Sequence, residues 1–191
     1  MRFEQLPLPG AWVIELDRLG DQRGWFARTF DLDEFRARGL DWEIVQCNIS
    51  SNPRAGTLRG MHYQQEPHGE SKLVRCARGA TFHVAVDLRA DSPTCGRWHG
   101  VRLSAESARA LYLPAGVAHG FQTLVDDCEV HYQMGARYVP EAARGVRWND
   151  PAFSIRWPDA PGTGERLISE RDSSFADWRA PALAPAHTSR A

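Results

Sequence analysis

Short apolar runs of β-type composition, separated by Gly, Pro, Asp or Ser, make up most of this chain. Such runs are typical of β-strands, and many short strands at close spacing favour a sandwich or barrel. The predicted strands are 11–16, 43–48, 72–76, 81–88, 98–103, 110–113, 120–124 and 129–134.

Only one helical pattern is evident in the first half of the chain. It covers residues 32–38, with Asp31 as its cap and Gly39 as its stop. With so few helices, crossover βαβ units are not expected, and the predicted fold is all-β: a double-sheet antiparallel jelly roll with a few short helices. We expect a single domain over 1–179, and the Ala- and Pro-rich tail 180–191 is predicted to be disordered.

The predicted strand 81–88 carries two different faces. Side chains alternate along a strand, so Phe82, Val84 and Val86 share one face while His83 and Asp87 share the other. We expect the Phe82 face to pack between sheets. The His83 face is then predicted to look into a polar cavity or toward solvent.

Composition excludes several classes of protein. The 191 residues include 23 Lys and Arg against 24 Asp and Glu, so no overall basic field favours nucleic acid or membrane binding. The first residues lack the apolar run of a signal peptide, and no window has the apolar length of a membrane span. The four cysteines form no Cys-x-x-Cys pair and are expected to be reduced. These features predict a cytoplasmic protein.

Candidate chemistry concentrates in segments that we expect to lie between strands. Arg59 and His62 fall in one such segment, His62 at the mouth of a strand, while Lys72 opens the next strand and His119 follows a Pro-Ala-Gly turn. Histidine is the usual general base near neutral pH, and Arg binds phosphate bidentately. A positive, proton-accepting cluster predicts an anionic substrate. The alternatives are a surface His62 in a turn and an edge charge at Lys72.

The segment from Pro114 to His119 resembles the second half-motif of the cupin superfamily, Pro-x-Gly-x-x-His, which brings a His into a jelly-roll interior. Metal-binding cupins also carry His-x-His and Glu, whereas here Tyr63 and Gln64 follow His62. His62, His83 and His119 would supply three ligands, but their spacing does not match the metal pattern. We therefore predict no metal site.

A closer resemblance covers nearly the whole chain before the tail. The blocks are Asp21-Gln22-Arg23-Gly24-Trp25-Phe26, 58–64, 72–75, 92–98, 103–106, 114–121, Tyr132, 138–141, 144–151, 155–158 and 169–172. In this order they resemble the nucleotide-sugar 3,5-epimerases, the family of dTDP-4-dehydrorhamnose 3,5-epimerase. The resemblance implies a cupin-like homodimer that uses no metal or organic cofactor. It also implies a nucleoside diphosphate 4-keto-6-deoxy sugar as substrate.

The same resemblance assigns roles to individual residues. His62 is the implied base, Asp172 its carboxylate partner, Tyr132 the acid on the opposite face of the sugar, and Lys72 the group that stabilises the enolate. The implied substrate-binding residues are Arg23, Phe26, Arg28, Gln46, Asn48, Arg59, Lys72, His119, Tyr138 and Arg171.

Three positions depart from the family pattern. Arg28 and Ala143 stand where the family usually carries Glu at the nucleotide end of the site, and His83 stands where it usually carries Asp. A guanidinium is donor-only and does not replace a carboxylate acceptor. We therefore predict a weakened preference for a thymidine nucleotide.

Several functions stay open at this stage. The leading hypothesis is an epimerase that inverts C3, C5 or both in deoxysugar biosynthesis. The alternatives are an epimerase or isomerase of a CDP- or GDP-linked sugar, a cupin-like sugar-binding protein without catalysis, and a metal-dependent cupin dioxygenase. Retention of His62, Lys72, Tyr132 and Asp172 argues against a binder, because binding requires no acid and base on opposite faces of a ring.

Overall fold

The structure, a computed structural model, describes residues 1–40, 42–162 and 164–180, which build two antiparallel sheets and a separate hairpin. The strands are β1 (Arg2–Gln5), β2 (Trp12–Glu15), β3 (Leu19–Asp21), β4 (Gly24–Phe26), β5 (Gln46–Asn52), β6 (Leu58–Gln64), β7 (Lys72–Arg78), β8 (Ala80–Asp87), β9 (Trp98–Ser104), β10 (Ala110–Leu113), β11 (Val117–Thr123), β12 (Cys128–Met134) and β13 (Ala143–Gly145). The helices are α1 (Leu32–Arg36), a 3-10 helix (Pro140–Ala142) and α2 (Glu170–Ser173).

In both main sheets most neighbouring strands are not consecutive in the chain, the exceptions being the pairs β1–β2 and β8–β9. One has the strand order β1-β2-β10-β7-β12-β5, and the other has the order β13-β6-β11-β8-β9. Strands β3 and β4 form the separate hairpin. This double-sheet antiparallel architecture confirms the predicted jelly roll.

The main core lies between the two sheets, and strands of both sheets contribute side chains to it. Its buried members are Leu6, Leu8, Ala11, Val13, Val74, Cys76, Ala85, Val101, Leu103, Leu111, Leu113 and Val117. Burial of this apolar surface, at about 25 cal/mol per Å², is the main stabilising contribution to such a sandwich.

The outer faces of both sheets are also covered. Phe35 of α1 packs with Trp42 and Tyr112 over the six-stranded sheet. Over the five-stranded sheet, Val84 and Val86 pack in a second cluster with aromatic residues of the C-terminal segment, Phe153, Trp157 and Trp178. The prediction for strand 81–88 was therefore wrong in its orientation. The Phe82 face lies under the C-terminal segment, and the His83 face points between the sheets.

Most predicted elements are present, with shifted ends. Helix α1 begins after its Asp31 cap, whose side chain accepts from two backbone N–H groups, but it ends at Arg36 rather than at residue 38. The strand predicted over 43–48 begins at Gln46 and continues to Asn52. The segment that holds Arg59 and His62 was expected between strands, and this is wrong, because it is strand β6.

Two further expectations concern the ends and the environment of the chain. Residues 181–191 of the predicted tail lie outside the described residues, and the domain boundary at 179 stays a prediction. Within the described ranges, no helix is long and apolar enough to cross a membrane.

Candidate active site

A cavity of about 440 Å³ continues the inward faces of the strands that form the main core. Val74 of β7 and Val117 of β11 belong to that core, and two residues away on the same faces stand Lys72 and His119. Polar groups thus replace apolar ones along the same strands. The cavity is lined by Asn48, Ile49, Ser50, Arg59, His62, Glu70, Lys72, His119, Phe121, Tyr132, Met134, Tyr138, Ser169, Arg171 and Asp172.

His62 is held in one orientation by Asp172. Its Nε2 atom lies 2.7 Å from Oδ1 of Asp172, and an ionised carboxylate only accepts hydrogen bonds, so Nε2 carries the proton. In the neutral ring the other nitrogen, Nδ1, is then unprotonated and basic. The His62 side chain is 40% exposed, which leaves it accessible to a ligand in the cavity.

Asp172 is placed by the short helix α2. The hydroxyl of Ser169 caps this helix by accepting from the backbone N–H of Asp172, and Oδ2 of Asp172 accepts from the backbone N–H of Gly60 at 3.0 Å. Burial opposes the charge on Asp172, but the hydrogen bonds from His62 and Gly60 outweigh it and lower the pKa of the carboxyl. Asp172 is therefore an anion beside His62 at neutral pH.

Lys72 and Glu70 form an ion pair inside the cavity. Nζ of Lys72 lies 2.5 Å from Oε1 of Glu70, and the two side chains are 6% and 8% exposed. Burial lowers the pKa of Lys72, and the Glu70 carboxylate acts in the opposite direction. The cavity thus contains a Lys72 amine whose carboxylate partner is supplied by the protein itself.

Tyr132 faces the same cavity from the six-stranded sheet, which also carries Lys72, whereas His62 lies in the five-stranded sheet. It lies in β12, where its neighbours across the sheet are Asn48 of β5 and Val74 of β7. Burial raises the pKa of the phenol to about 12, although Ser50 and the cation of Arg59 oppose this shift. Tyr132 therefore keeps its proton at neutral pH and is able to act as an acid.

His119 is connected to a second buried imidazole. Its Nε2 lies 3.0 Å from Nδ1 of His83, and Nε2 of His83 lies 2.8 Å from the hydroxyl of Thr81. The two rings meet edge to edge, with their planes 14° apart and their centroids 5.2 Å apart. Of the environments considered for His83, the structure shows burial behind the cavity wall, with His119 in front of it.

Several of the remaining cavity residues are polar or cationic. Arg59 and Arg171 line the cavity, and the guanidinium of Arg59 donates to Oδ1 of Asn52 at 2.8 Å. Gln46 lies in an adjoining smaller cavity with Asn48 and Tyr138. Its Nε2 donates to Asn48 at 3.3 Å and its Oε1 accepts from the backbone N–H of Tyr138 at 3.2 Å.

Four predicted substrate ligands are not among the residues that line the main cavity: Gln46, which lies in the adjoining one, and Arg23, Phe26 and Arg28. Arg23 and Phe26 belong to the hairpin β3–β4, where Arg23 pairs with Asp21 and Phe26 is 72% exposed. Arg28 follows the hairpin and pairs with Asp31, the cap of α1. The expectation that Arg28 and Ala143 weaken a preference for thymidine nucleotides stays a prediction.

Sequence reasoning missed several residues of the cavity wall. Glu70 stands two residues before Lys72, Ser50 two residues after Asn48, and Phe121 two residues after His119. In an extended chain, residues two apart point to the same side. Applying this period to the residues already selected would have identified Glu70, Ser50 and Phe121.

The histidines considered as metal ligands are engaged elsewhere. His62 contacts Asp172, and His83 contacts His119 and Thr81. Across the described ranges, no group of three or more His, Cys, Asp or Glu side chains is arranged to hold a metal ion.

Comparison with known proteins gives consistent matches along the chain. The family model described as dTDP-4-dehydrorhamnose 3,5-epimerase matches residues 5–180. The dTDP-4-dehydrorhamnose 3,5-epimerase of Methanothermobacter thermautotrophicus is 45% identical over 179 residues, which is 93% of this chain and 95% of the relative.

Solved structures agree with this match. The dTDP-4-dehydrorhamnose 3,5-epimerase of Elizabethkingia anophelis has a TM-score of 0.88 at 35% identity, covering 93% of this chain and 96% of that one. A 3'-monoepimerase from Streptomyces bikiniensis, solved in complex with dTDP-quinovose, has a TM-score of 0.83 at 38% identity, covering 90% and 85%.

Proposed function

The chain belongs to the dTDP-4-dehydrorhamnose 3,5-epimerase family, and we propose that it inverts C3, C5 or both in a dTDP-linked 4-keto-6-deoxyhexose. The observation that carries this proposal is the common cavity of His62 and Tyr132. One is a base with a fixed tautomer, and the other is an acid that keeps its proton. An inversion needs both groups, on opposite faces of the sugar ring.

The first step is removal of a proton next to the ketone. The C4 carbonyl acidifies the C–H bonds at C3 and C5, and Nδ1 of His62 takes the proton while the bonding electrons form an enolate at O4. Asp172 stabilises the imidazolium that results, because its carboxylate lies 2.7 Å from Nε2. Lys72 supplies the positive charge for the enolate oxygen.

The second step returns a proton to the same carbon from the opposite face. The Tyr132 hydroxyl gives its proton to the enolate carbon, the carbonyl re-forms, and the configuration is inverted. His62 is then protonated and Tyr132 ionised, and exchange with water restores both. The pKa of about 12 at Tyr132 means that water returns its proton readily.

Deuterium exchange tests this assignment directly. The protein is incubated in deuterated water with dTDP-4-keto-6-deoxyglucose, and NMR locates deuterium at C3 and C5. His62→Ala should lose exchange at every carbon that the wild type labels, because the base acts first. Tyr132→Phe should retain exchange while net inversion falls, since the enolate still forms and is reprotonated from its original face.

Controls separate this proposal from its alternatives. His68→Ala, at an exposed histidine after β6, should behave as the wild type does. Wild-type binding without any deuterium incorporation would indicate a sugar-binding protein. Incorporation only with CDP- or GDP-linked substrates would correct the nucleotide, and labelling at one carbon would define a single-centre epimerase.

We also propose that the protein acts as a homodimer. The predicted ligands Arg23 and Phe26 lie on the hairpin β3–β4 rather than in the wall of the described cavity. The hairpin exposes the large apolar side chains of Leu19, Trp25 and Phe26, which are 70%, 51% and 72% accessible. A second copy of the chain would cover this surface and bring Arg23 and Phe26 to a cavity.

A further inference from the structure

The aromatic ring of Phe175 packs against the imidazole of His62. The two ring centroids lie 6.1 Å apart and the ring planes are 77° apart, which is the edge-to-face geometry that aromatic rings prefer. Phe175 is half-buried, and it is not among the residues that line the described cavity. Its connection with that cavity therefore runs through His62.

Helix α2 brings Phe175 and Asp172 to strand β6 together. Asp172 lies in this helix, and Phe175 follows its C-cap, Ser174, whose backbone N–H still donates to carbonyls of the helix. Residues three apart lie on the same side of a helical turn. One side of this turn thus supplies both the hydrogen bond to Nε2 of His62 and the aromatic contact with the same ring.

Gly145 makes room for the ring of Phe175. It stands directly opposite His62 in the pairing of β13 with β6. A Cβ atom at Gly145 would lie 2.2 Å from each of two ring carbons of Phe175, far inside the normal contact distance. The Phe175 ring therefore lies against the backbone of Gly145, and any side chain at this position would displace it.

One hydrogen bond does not fix the orientation of an imidazole ring. The 2.7 Å contact with Asp172 holds Nε2 of His62, but the ring is still able to turn about that contact, and the χ2 torsion of histidine has a broad energy well. Proton abstraction depends on where Nδ1 points, because the reacting atoms must be aligned. We propose that Phe175 is a positioning residue that fixes the ring plane of His62, so that Nδ1 faces the C–H bond to be broken.

This inference rests on the proposed function for the role of His62 as the base. It adds to that function a residue that neither touches the substrate nor transfers a proton. An aromatic contact of this kind corresponds to about a two- to tenfold effect on the reaction rate. Phe175→Leu, which keeps an apolar side chain but removes the aromatic ring, is the direct test.

Ring mobility is the first readout. It is measured by 13C relaxation of the Cδ2–H group in protein with 13C-labelled histidine, and the His62 signal is assigned by its loss in His62→Ala. We expect a rigid His62 ring in the wild type and a lower order parameter in Phe175→Leu. The deuterium exchange rate at saturating substrate should fall about two- to tenfold in this variant, whereas the Kd for dTDP should stay at its wild-type value.

Gly145→Ala displaces the ring of Phe175 without removing it. Gly145 does not have a positive φ, so alanine adds no backbone strain there. We expect the same changes in ring mobility and exchange rate as in Phe175→Leu. In the double variant the two effects should not add, because leucine lacks the two ring carbons that the new methyl group would meet.

Phe82 and Gly100 provide a matched control in the same sheet. Phe82 packs against Trp157 with the same centroid separation of 6.1 Å and the same interplanar angle of 77°, and a Cβ atom at Gly100 would lie 2.3 Å from the Phe82 ring. Neither residue lines the described cavity. Phe82→Leu and Gly100→Ala should therefore leave the His62 order parameter and the exchange rate at their wild-type values.

Two results would overturn the proposal. One is a folded Phe175→Leu or Gly145→Ala protein whose His62 ring is as rigid as in the wild type, or whose exchange rate is unchanged. The other is a Kd for dTDP that rises by the same factor as the exchange rate falls, which would indicate a general disturbance of the site. The relaxation measurement needs no turnover, so it tests the role of Phe175 even if the wild type shows no exchange and the proposed function fails.

Discussion

Glu70 and Lys72 form an ion pair inside the cavity, with Oε1 of Glu70 2.5 Å from Nζ of Lys72. Burial favours the neutral form of Lys72, and Glu70 favours the charged form. A neutral amine would not stabilise an enolate oxygen by charge. Glu70 is therefore expected to keep Lys72 protonated over the pH range in which the enzyme works.

Glu70→Gln tests this role, because it keeps the size of the side chain and removes its charge. Burial then acts on Lys72 without opposition, so the pKa of Lys72 falls and the cation is lost at a lower pH. We expect the alkaline limb of the kcat profile to move to lower pH, with kcat at neutral pH reduced about tenfold or more, since a charged hydrogen bond is worth roughly 1.5–3 kcal/mol. NMR measurements of the reaction rate at saturating substrate, repeated at several pH values, give the kcat profile.

The control for this change is Glu70→Asp, which keeps the carboxylate. It should hold the alkaline limb closer to its wild-type position than Glu70→Gln does. Identical profiles for Glu70→Gln and wild type would show that Lys72 does not need its partner to stay charged.

At the scale of residues, the sequence identified those that belong to recognisable motifs and missed those defined only by their neighbours. His62, Lys72 and Tyr132 stand in blocks that resemble a family, and the structure brings all three to one cavity. Glu70 stands in a Gly- and Pro-containing segment, where an acid is normally solvated. The orientation of His83 was not predictable, because both faces of β8 are buried and alternation alone does not say which face lies between the sheets.

At the scale of elements, β6 and β11 approach each other closely where they present their histidines. His62 and His119 are directly paired across these strands, and a register shift follows between His119 and Phe121. Gly60 has φ of 130°, and a Cβ atom there would lie 3.0 Å from the carbonyl oxygen of His119, with the Cα of Gly120 closer still. The absence of a side chain at Gly60 thus allows this pairing.

Gly60→Ala should therefore lower the free energy of unfolding by more than the backbone strain of a positive φ accounts for. Gly24 provides a matched control, because its φ is 126° and a Cβ atom there would meet nothing within 4 Å. We expect Gly24→Ala to cost about 1–3 kcal/mol from the backbone conformation. Gly60→Ala should cost more, since the backbone of β11 must also move. Denaturant unfolding measures both variants, and equal losses would contradict the steric explanation.

Strand β6 also shows why some elements could not be predicted from their own sequence. Its residues Leu58, Met61 and Gln64 are buried while Arg59 is exposed, so the pattern does not follow a simple two-residue period. One cause is distant in the chain, since β13 pairs along one edge of β6 and Met61 packs with Val146 and Phe153. Such coverage depends on tertiary packing, which a local pattern does not contain.

At the scale of the whole molecule, the hairpin β3–β4 leaves three large apolar side chains exposed, those of Leu19, Trp25 and Phe26. A two-stranded hairpin is marginally stable in water by itself. Arg18 lies over the Trp25 ring at 4.8 Å, but Leu19 and Phe26 stay more than two-thirds exposed. The proposed homodimer gives these side chains a partner surface, and it predicts a dimer in sedimentation experiments at micromolar concentration.

Mixing two inactive proteins would show whether the hairpin serves its own cavity or that of a second copy. His62→Ala lacks the base in both sites of a homodimer, and the double variant Arg23→Ala with Phe26→Ala lacks the hairpin contacts in both. In a mixed dimer, the double variant supplies an intact cavity and the His62→Ala chain supplies an intact hairpin, so one of the two sites is complete. Random exchange of subunits at equal concentrations should restore about a quarter of wild-type activity. If the hairpin instead serves its own cavity, every site in the mixture lacks either the base or the hairpin, and activity stays at the level of the unmixed variants.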